Sequence, residues 1–132
     1  MEYQFDWHVP RRVLVLTVSG DVSLQDLVQF NQTMIDNLEY GIAPVHLISV
    51  GNNIQHVPTN LMLIKEIVTF LQHPNMGWIV IVQEKANPLT GFIVSVASQA
   101  TGMKMRHVKT VVDGVETLRR LDQSIASYIT PV

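Results

Sequence analysis

Four helix-start signals recur along this chain, and each follows an extended apolar stretch. The signals are Ser23, Thr59, Asn87 and Asp113. Side chains of these types accept hydrogen bonds from the free N–H groups of a first helical turn. Strands that alternate with helices predict an open α/β sheet, and a length of 132 residues predicts one domain, 1–132.

The N-terminal segment predicts an antiparallel hairpin. Tyr3, Phe5 and Trp7 alternate with polar residues, which is typical of a strand with one buried face. After a turn at Pro10, residues 13–18 are apolar on both faces, as in a central strand.

The predicted order of the whole chain is β-β-α-β-α-β-α-β-α, with mainly parallel strands after the hairpin. We expect later strands at 45–50, 77–82 and 103–112, with the last helix beginning at Asp113. The second helix is expected to run from Thr59 or Asn60 to Leu71. Apolar stripes predict the buried faces of the first two helices, which are Leu24, Leu27, Val28, Met34, Ile35 and Leu38 in the first, and Leu61, Ile64, Ile67, Val68 and Leu71 in the second.

Two polar residues interrupt these apolar patterns. Asn31 falls within the stripe of the first helix, and His46 lies on the third strand. Because buried polar groups normally find hydrogen-bond partners, we expect both to be satisfied core residues rather than ligand groups.

The composition favours a contact surface. Charged residues make up 15% of the chain, against roughly 25% in typical soluble domains. The missing charge is surface charge, so we expect an apolar interface, most simply that of a two-fold homodimer. The net charge is −2 and the basic residues are scattered, which argues against nucleic-acid binding.

Neither an export signal nor a membrane span is expected. The N-terminus lacks a basic start followed by an apolar core, and the longest apolar run, at 78–82, is too short to cross a bilayer. We therefore expect no membrane insertion and a cytoplasmic location. The chain has no cysteine, which excludes disulfides and thiolate chemistry.

Two segments carry a family resemblance. They are VHLISVGNNIQHVPTNLMLIKEIV, from the third strand to the second helix, and TGMKMRHVKTVVDGVETLRRL at the last strand and helix. With the order of elements, they resemble the STAS family, the anti-sigma factor antagonists and cytoplasmic domains of sulfate transporters. The resemblance covers nearly the whole chain and implies a STAS-like fold and a regulatory, protein-binding role.

The resemblance also implies a phospho-acceptor at the start of the second helix. In the STAS family an acidic residue ends the preceding strand, and Ser or Thr followed by Ser-Gly receives phosphate from a partner kinase. Here the strand ends in Val50-Gly51-Asn52 and the helix opens with Pro58-Thr59-Asn60. Thr59 is the nearest counterpart of the acceptor.

Polar residues gather in the loops that follow the parallel strands. Ligands of open α/β sheets favour the crevice beyond the carboxyl ends of the strands. The sequence therefore predicts a ligand or partner face there, formed by Asp21, Asn52, Asn53, Gln55, His56, Asn60, Glu84, Lys85 and Asn87.

The sequence lacks the motifs of several kinds of chemical site. The five histidines form no spaced pair, so no metal site is expected, and no glycine-rich phosphate loop follows a strand, so no cofactor is expected. A receiver domain would need clustered acids at the strand ends, where Asp21 stands alone and the third strand ends in Gly and Asn. An enzyme that uses His56 with Asp21 or Glu84 would require these side chains within hydrogen-bond reach.

The sequence therefore favours a non-enzymatic STAS-like interaction module, with no catalytic residues. We expect it to dock a protein partner or its own copy through the second helix and the preceding loop. The expected interface residues are Met62, Leu63, Glu66 and Phe70. The alternative is a small-ligand domain for a lipid or an anion, with a cavity lined by Trp78 and Phe92.

Overall fold

In the part of the chain that the structure describes, five strands form one mixed sheet and lie side by side in chain order. A computed structural model describes residues 1–52, 54, 56–82 and 104–128. β1 and β2 are antiparallel, and β2 to β5 are mutually parallel. The strands are β1 (Glu2–Val9), β2 (Val13–Ser19), β3 (Val45–Asn52), β4 (Met76–Val82) and β5 (Met105–Val108). The helices are α1 (Leu24–Tyr40), α2 (Leu61–Ile67) and α3 (Val111–Leu121), with 3-10 turns at Thr69–Gln72 and Gln123–Tyr128.

The predicted α/β class, the N-terminal hairpin and the open, mainly parallel sheet agree with this architecture. The third predicted helix, which begins at Asn87, lies outside the described residues, so the complete order of elements stays a prediction. The last strand is shorter than predicted, since β5 covers four residues rather than 103–112.

One face of the sheet packs against α1 and α2. Alternate residues of β2 and β3, among them Leu14, Leu16 and Leu47, point to this side and are buried. Period-2 alternation within each strand separates them from the residues of the opposite face. α1 contributes Leu27, Phe30, Met34 and Leu38 to this core. Val28 is 54% exposed, so its prediction as an inward residue is wrong.

The opposite face packs against α3 and the 3-10 turn that follows it. Val13, Ile48 and Val80 of the central strands meet Leu118 of α3 and Ile125 of the turn. Ile125 has no exposed surface. The last described segment of the chain is therefore part of a second core.

Two predicted helix starts are confirmed by their hydrogen bonds. The Ser23 hydroxyl accepts from the Asp26 N–H, and the Asp26 carboxylate accepts from the Ser23 N–H, which completes a capping box. The side chain of Asn60 accepts from the Leu63 N–H at the start of α2. The prediction of Asp113 as the start signal of the last helix is wrong, because the N-cap lies three residues earlier. Thr110 is its N-cap and accepts from the Asp113 N–H.

The second helix ends earlier than its apolar stripe predicts. The Phe70 N–H donates to Asn31 Oδ1 at 2.9 Å instead of continuing the helical ladder. Asn31 Nδ2 also donates to the Thr69 hydroxyl at 3.0 Å, which confirms that Asn31 is a satisfied amide. The Phe70 ring packs edge-on against Phe30, with 5.5 Å between the ring centroids. The prediction that Phe70 lies on the exposed face is therefore wrong, because Phe70 is only 7% exposed.

The helices of the described segments are short or amphipathic. Within residues 1–52, 54, 56–82 and 104–128, none combines the length and the hydropathy needed to cross a membrane.

Candidate functional site

The loops after β2 and β3 meet at the carboxyl edge of the sheet. Gly20 adopts φ +77°, a left-handed conformation that glycine takes without strain, and it turns the chain away from β2. Asp21 Oδ1 then accepts from the His56 N–H at 3.0 Å. The Val22 N–H donates to the His56 carbonyl, also at 3.0 Å. The convergence of these two loops was predicted, and the backbone hydrogen bonds fix their relative position.

The same loops bring an imidazole to a carboxylate. His56 Nδ1 lies 3.2 Å from Asp21 Oδ2, and the two side chains are 78% and 59% exposed. A carboxylate only accepts hydrogen bonds, so Nδ1–H is the donor. In a neutral ring, Nε2 is then unprotonated and its lone pair is available. The His56 and Asp21 side chains are therefore within the hydrogen-bond distance that acid–base chemistry requires. Within the described part of the chain, however, the His56 ring hydrogen-bonds Asp21 alone.

The other predicted face residues have different surroundings. The backbone of Asn52 pairs with Ser19 at the end of β3. Thr59 is exposed, and Asn60 uses its side chain as the cap of α2. Five more predicted residues, Asn53, Gln55, Glu84, Lys85 and Asn87, lie outside the described residues.

An apolar ridge covers the outer side of α2. Met62 is 76% exposed, Leu63 is 41% exposed and Leu61 is 36% exposed. The neighbouring Lys65 and Glu66 are also exposed. We call residues 61–63 with Lys65 and Glu66 the α2 ridge. The predicted exposure of Met62 and Leu63 is observed, whereas the prediction that Leu61 points inward is wrong, because Leu61 is exposed.

A second histidine–carboxylate pair lies at the other end of the sheet. His46 Nε2 is 2.8 Å from Asp122 Oδ2, and the side chains are 2% and 15% exposed. Arg12 Nη2 donates to the same carboxylate oxygen at 3.0 Å and to the Ser124 hydroxyl at 2.9 Å. We call these four residues the His46 cluster. His46 is a hydrogen-bonded core residue, as the sequence predicts, but its partners were not predicted.

Burial governs the charges of the His46 cluster. Desolvation lowers the pKa of His46, although Asp122 acts in the opposite direction. For Asp122, desolvation favours the neutral acid, but hydrogen bonds from Ser124 and His46 outweigh it and lower its pKa. The cluster therefore combines a neutral imidazole with an ionised carboxylate near neutral pH.

Trp78 carries two cations above its ring. Arg106 Cζ is 4.4 Å and Lys104 Nζ is 5.8 Å from the ring centroid. Cation–π attraction accounts for this arrangement. The cavity that a small-ligand domain would need involves Phe92, which lies outside the described residues, so that alternative stays a hypothesis.

Metal ligation has no support from the groups that are described. Among those residues, no set of three or more His, Asp or Glu side chains converges on a point.

The similarity searches give no assignment. No protein-family profile, no curated protein and no solved structure matches the chain.

Proposed function

We propose that the protein is a STAS-like regulatory module of the cytoplasm that acts by self-association through the α2 ridge and the loop before it. The observation that carries the proposal is the exposure of Met62, 76% of whose surface is accessible. Large apolar side chains clustered on a surface mark contact sites. The proposed role is docking rather than catalysis.

Two charged residues of the α2 ridge suit a second copy of this chain. Lys65 and Glu66 are exposed, and within the described segments neither forms an ion pair. In a two-fold contact the same surface meets itself. Two antiparallel copies of α2 that cross at this pair would then bring Lys65 of one protomer towards the partner's Glu66, with one Met62 side chain on either side of the crossing.

The size of the ridge explains why the loop is included. A helix of seven residues is about 10 Å long at 1.5 Å per residue. A stable interface buries about 800 Å² on each partner. The exposed loop residues His56, Thr59 and Asn60 directly precede α2 and extend the surface.

Sedimentation velocity over a dilution series from about 1 mM to about 1 μM tests this proposal. We expect the wild type to associate and Met62→Lys to weaken association at least about tenfold, since burying the charge costs more than about 1.4 kcal/mol. Val112→Lys is the matched control, because Val112 is 52% exposed on α3 at the other face of the sheet. A wild type that stays monomeric throughout, or equal effects of both variants, would contradict the proposal.

A charge exchange tests the arrangement of the two copies. Glu66→Lys alone should weaken association by like-charge repulsion, and adding Lys65→Glu in the same chain should restore it. Failure of the double variant to recover association would exclude the antiparallel pairing. It would not test the ridge itself, which Met62→Lys tests separately.

Phosphate on Thr59 is the proposed regulatory input. Thr59 is exposed at the start of α2, and a phosphate there would add about two negative charges at the edge of the proposed interface. Thr59→Asp should weaken self-association, with Thr59→Asn as the uncharged control. An inert Thr59→Asp variant, together with native protein of unmodified intact mass, would remove this part of the proposal.

A further inference from the structure

The His46 cluster attaches the last described segment of the chain to the sheet. We call residues 122–128 the C-terminal strap. Arg12 from the turn between β1 and β2 and His46 from β3 both bind Asp122, and Arg12 also binds Ser124. These contacts bridge more than 70 residues of sequence, since His46 and Asp122 are 76 positions apart. Ile125 adds apolar contacts with the second core.

The hydrogen bonds of His46 fix its tautomer. The Trp78 N–H of β4 donates to His46 Nδ1 at 2.9 Å. Nδ1 must therefore be the unprotonated nitrogen, and Nε2 carries the proton that is donated to Asp122. Both ring nitrogens are thus engaged, and the ring is satisfied only while it is neutral.

We propose that the neutral His46 ring holds the C-terminal strap against the sheet, and that acid releases the strap by protonating Nδ1. A proton on Nδ1 would point at the Trp78 N–H. Both groups would then be donors, so the hydrogen bond between them would be lost. The ring must then turn away from β4. Because Asp122 is bonded to the same ring, this movement carries the start of the strap with it.

The groups around His46 determine the direction of the pH response. Among the described residues, Asp122 from the strap favours the charged ring, whereas Arg12 from the hairpin turn and Lys104 beside β5 oppose it. β4 contributes the Trp78 N–H and the close backbone of Gly77, neither of which titrates. Burial outweighs the attraction of Asp122, which lowers the pKa of His46 in the folded protein. The folded state therefore resists protonation, and acid favours the state in which the ring is released.

Release of the strap would expose apolar surface. Ile125 is completely buried and packs in the second core with Val13, Val115 and Leu118. Loss of the strap would uncover this part of the β2–α3 core while the α1–α2 face keeps its own core. The response is therefore expected to be local rather than global.

Hydrogen exchange measured by mass spectrometry tests the release. Amides of residues 122–128 should exchange at least about tenfold faster near pH 5 than near pH 7.5, after correction for the intrinsic pH dependence. Amides of β2 and β3 should change much less. Equal protection of the strap at both pH values would overturn the proposal.

Two variants separate His46 from the other histidines. His46→Asn keeps an acceptor oxygen near the position of Nδ1 but cannot titrate, so its strap should respond to pH at least about fivefold less. His107→Asn, at an exposed position of β5, should keep the wild-type response. A full pH response in His46→Asn would contradict the proposal.

The tautomer gives a test that needs no variant. Nitrogen chemical shifts of the wild-type His46 ring at neutral pH should show Nε2 protonated and Nδ1 unprotonated. A ring protonated at Nδ1 at neutral pH would overturn the proposal even if the His46→Asn variant fails to fold.

Discussion

The protein contains the same chemical pair, a histidine beside an aspartate, in two opposite environments. His46 and Asp122 are 2.8 Å apart with side chains 2% and 15% exposed, whereas His56 and Asp21 are 3.2 Å apart with side chains 78% and 59% exposed. Distance therefore hardly distinguishes the pairs, and solvent access does. Water screens the exposed pair and solvates each partner when the other is removed, but it cannot do so for the buried pair.

The two pairs also have different mechanical roles. His56 and Asp21 connect neighbouring loops that the parallel strands already bring together. His46 and Asp122 connect a central strand to a segment 76 residues away that covers the opposite face of the sheet. Removal of one partner should therefore have unequal consequences in the two pairs, and four measurements test this contrast.

The largest effect is expected for Asp122→Ala. This change leaves the His46 Nε2–H and one Arg12 donor without their acceptor in a largely buried site. We expect a loss of about 3 kcal/mol in the free energy of unfolding, measured by urea denaturation. A loss below about 1 kcal/mol would show that the cluster is replaced by water, and the contrast between the pairs would fail.

The next effect is expected for Gly77→Ala, because the ring of His46 lies directly against the backbone of β4. A Cβ at position 77 would stand 2.5 Å from His46 Nδ1 and 3.1 Å from Pro44 Cβ. We expect a loss of about 2 kcal/mol from overpacking. Most of it should vanish in a His46→Ala background, which a double-mutant cycle measures. An unchanged penalty in that background would assign the close contact to Pro44 instead.

A smaller effect is the pH dependence of stability. Because the folded pKa of His46 is lowered from 6.5, the unfolded chain binds more protons below that pH. Stability contributed by His46 is complete above pH 6.5 and is lost as the pH falls through the folded pKa, with a slope of at most about 1.4 kcal/mol per pH unit. Asp122 acts in the same direction below its ordinary value of 3.8.

Urea denaturation at a series of pH values measures this slope. His46→Asn should flatten it below about pH 6.5, while His56→Asn should leave it in place. The opposite ranking of the two variants would mean that the exposed pair, and not the buried one, is linked to folding.

The contrast between the pairs also explains what the sequence could predict. Ser23 and Asn60 are local helix caps, so sequence spacing was enough to find them. Thr110 carries the same signal, because Asp113 follows it by three residues, as Asp26 follows Ser23. The same spacing rule therefore predicts the start of α3 correctly. Local hydrogen bonding is encoded within a few residues, and a reading of the chain can recover it.

Long-range contacts were predictable only where the topology forces them. Asp21 and His56 follow adjacent parallel strands, so their loops had to meet at one edge of the sheet. Asp122 carries no comparable signal, because no local pattern specifies where a segment after the last helix crosses the sheet. The prediction that Phe70 is exposed was wrong for a related reason. Its position depends on Asn31 and Phe30 of another helix rather than on the apolar stripe of its own helix.

The smallest effect is expected for Asp21→Ala. The His56 ring and N–H lose an acceptor but stay in water, so the loss of this pair should lower the free energy of unfolding by less than about 1 kcal/mol. His56→Ala should have a similarly small effect, and the coupling between the two in a double-mutant cycle should shrink further in high salt. A coupling above about 2 kcal/mol would be out of range for an exposed pair. It would mean that another part of the molecule or a bound partner covers this edge of the sheet, and the two pairs would then differ in their connections but not in their environment.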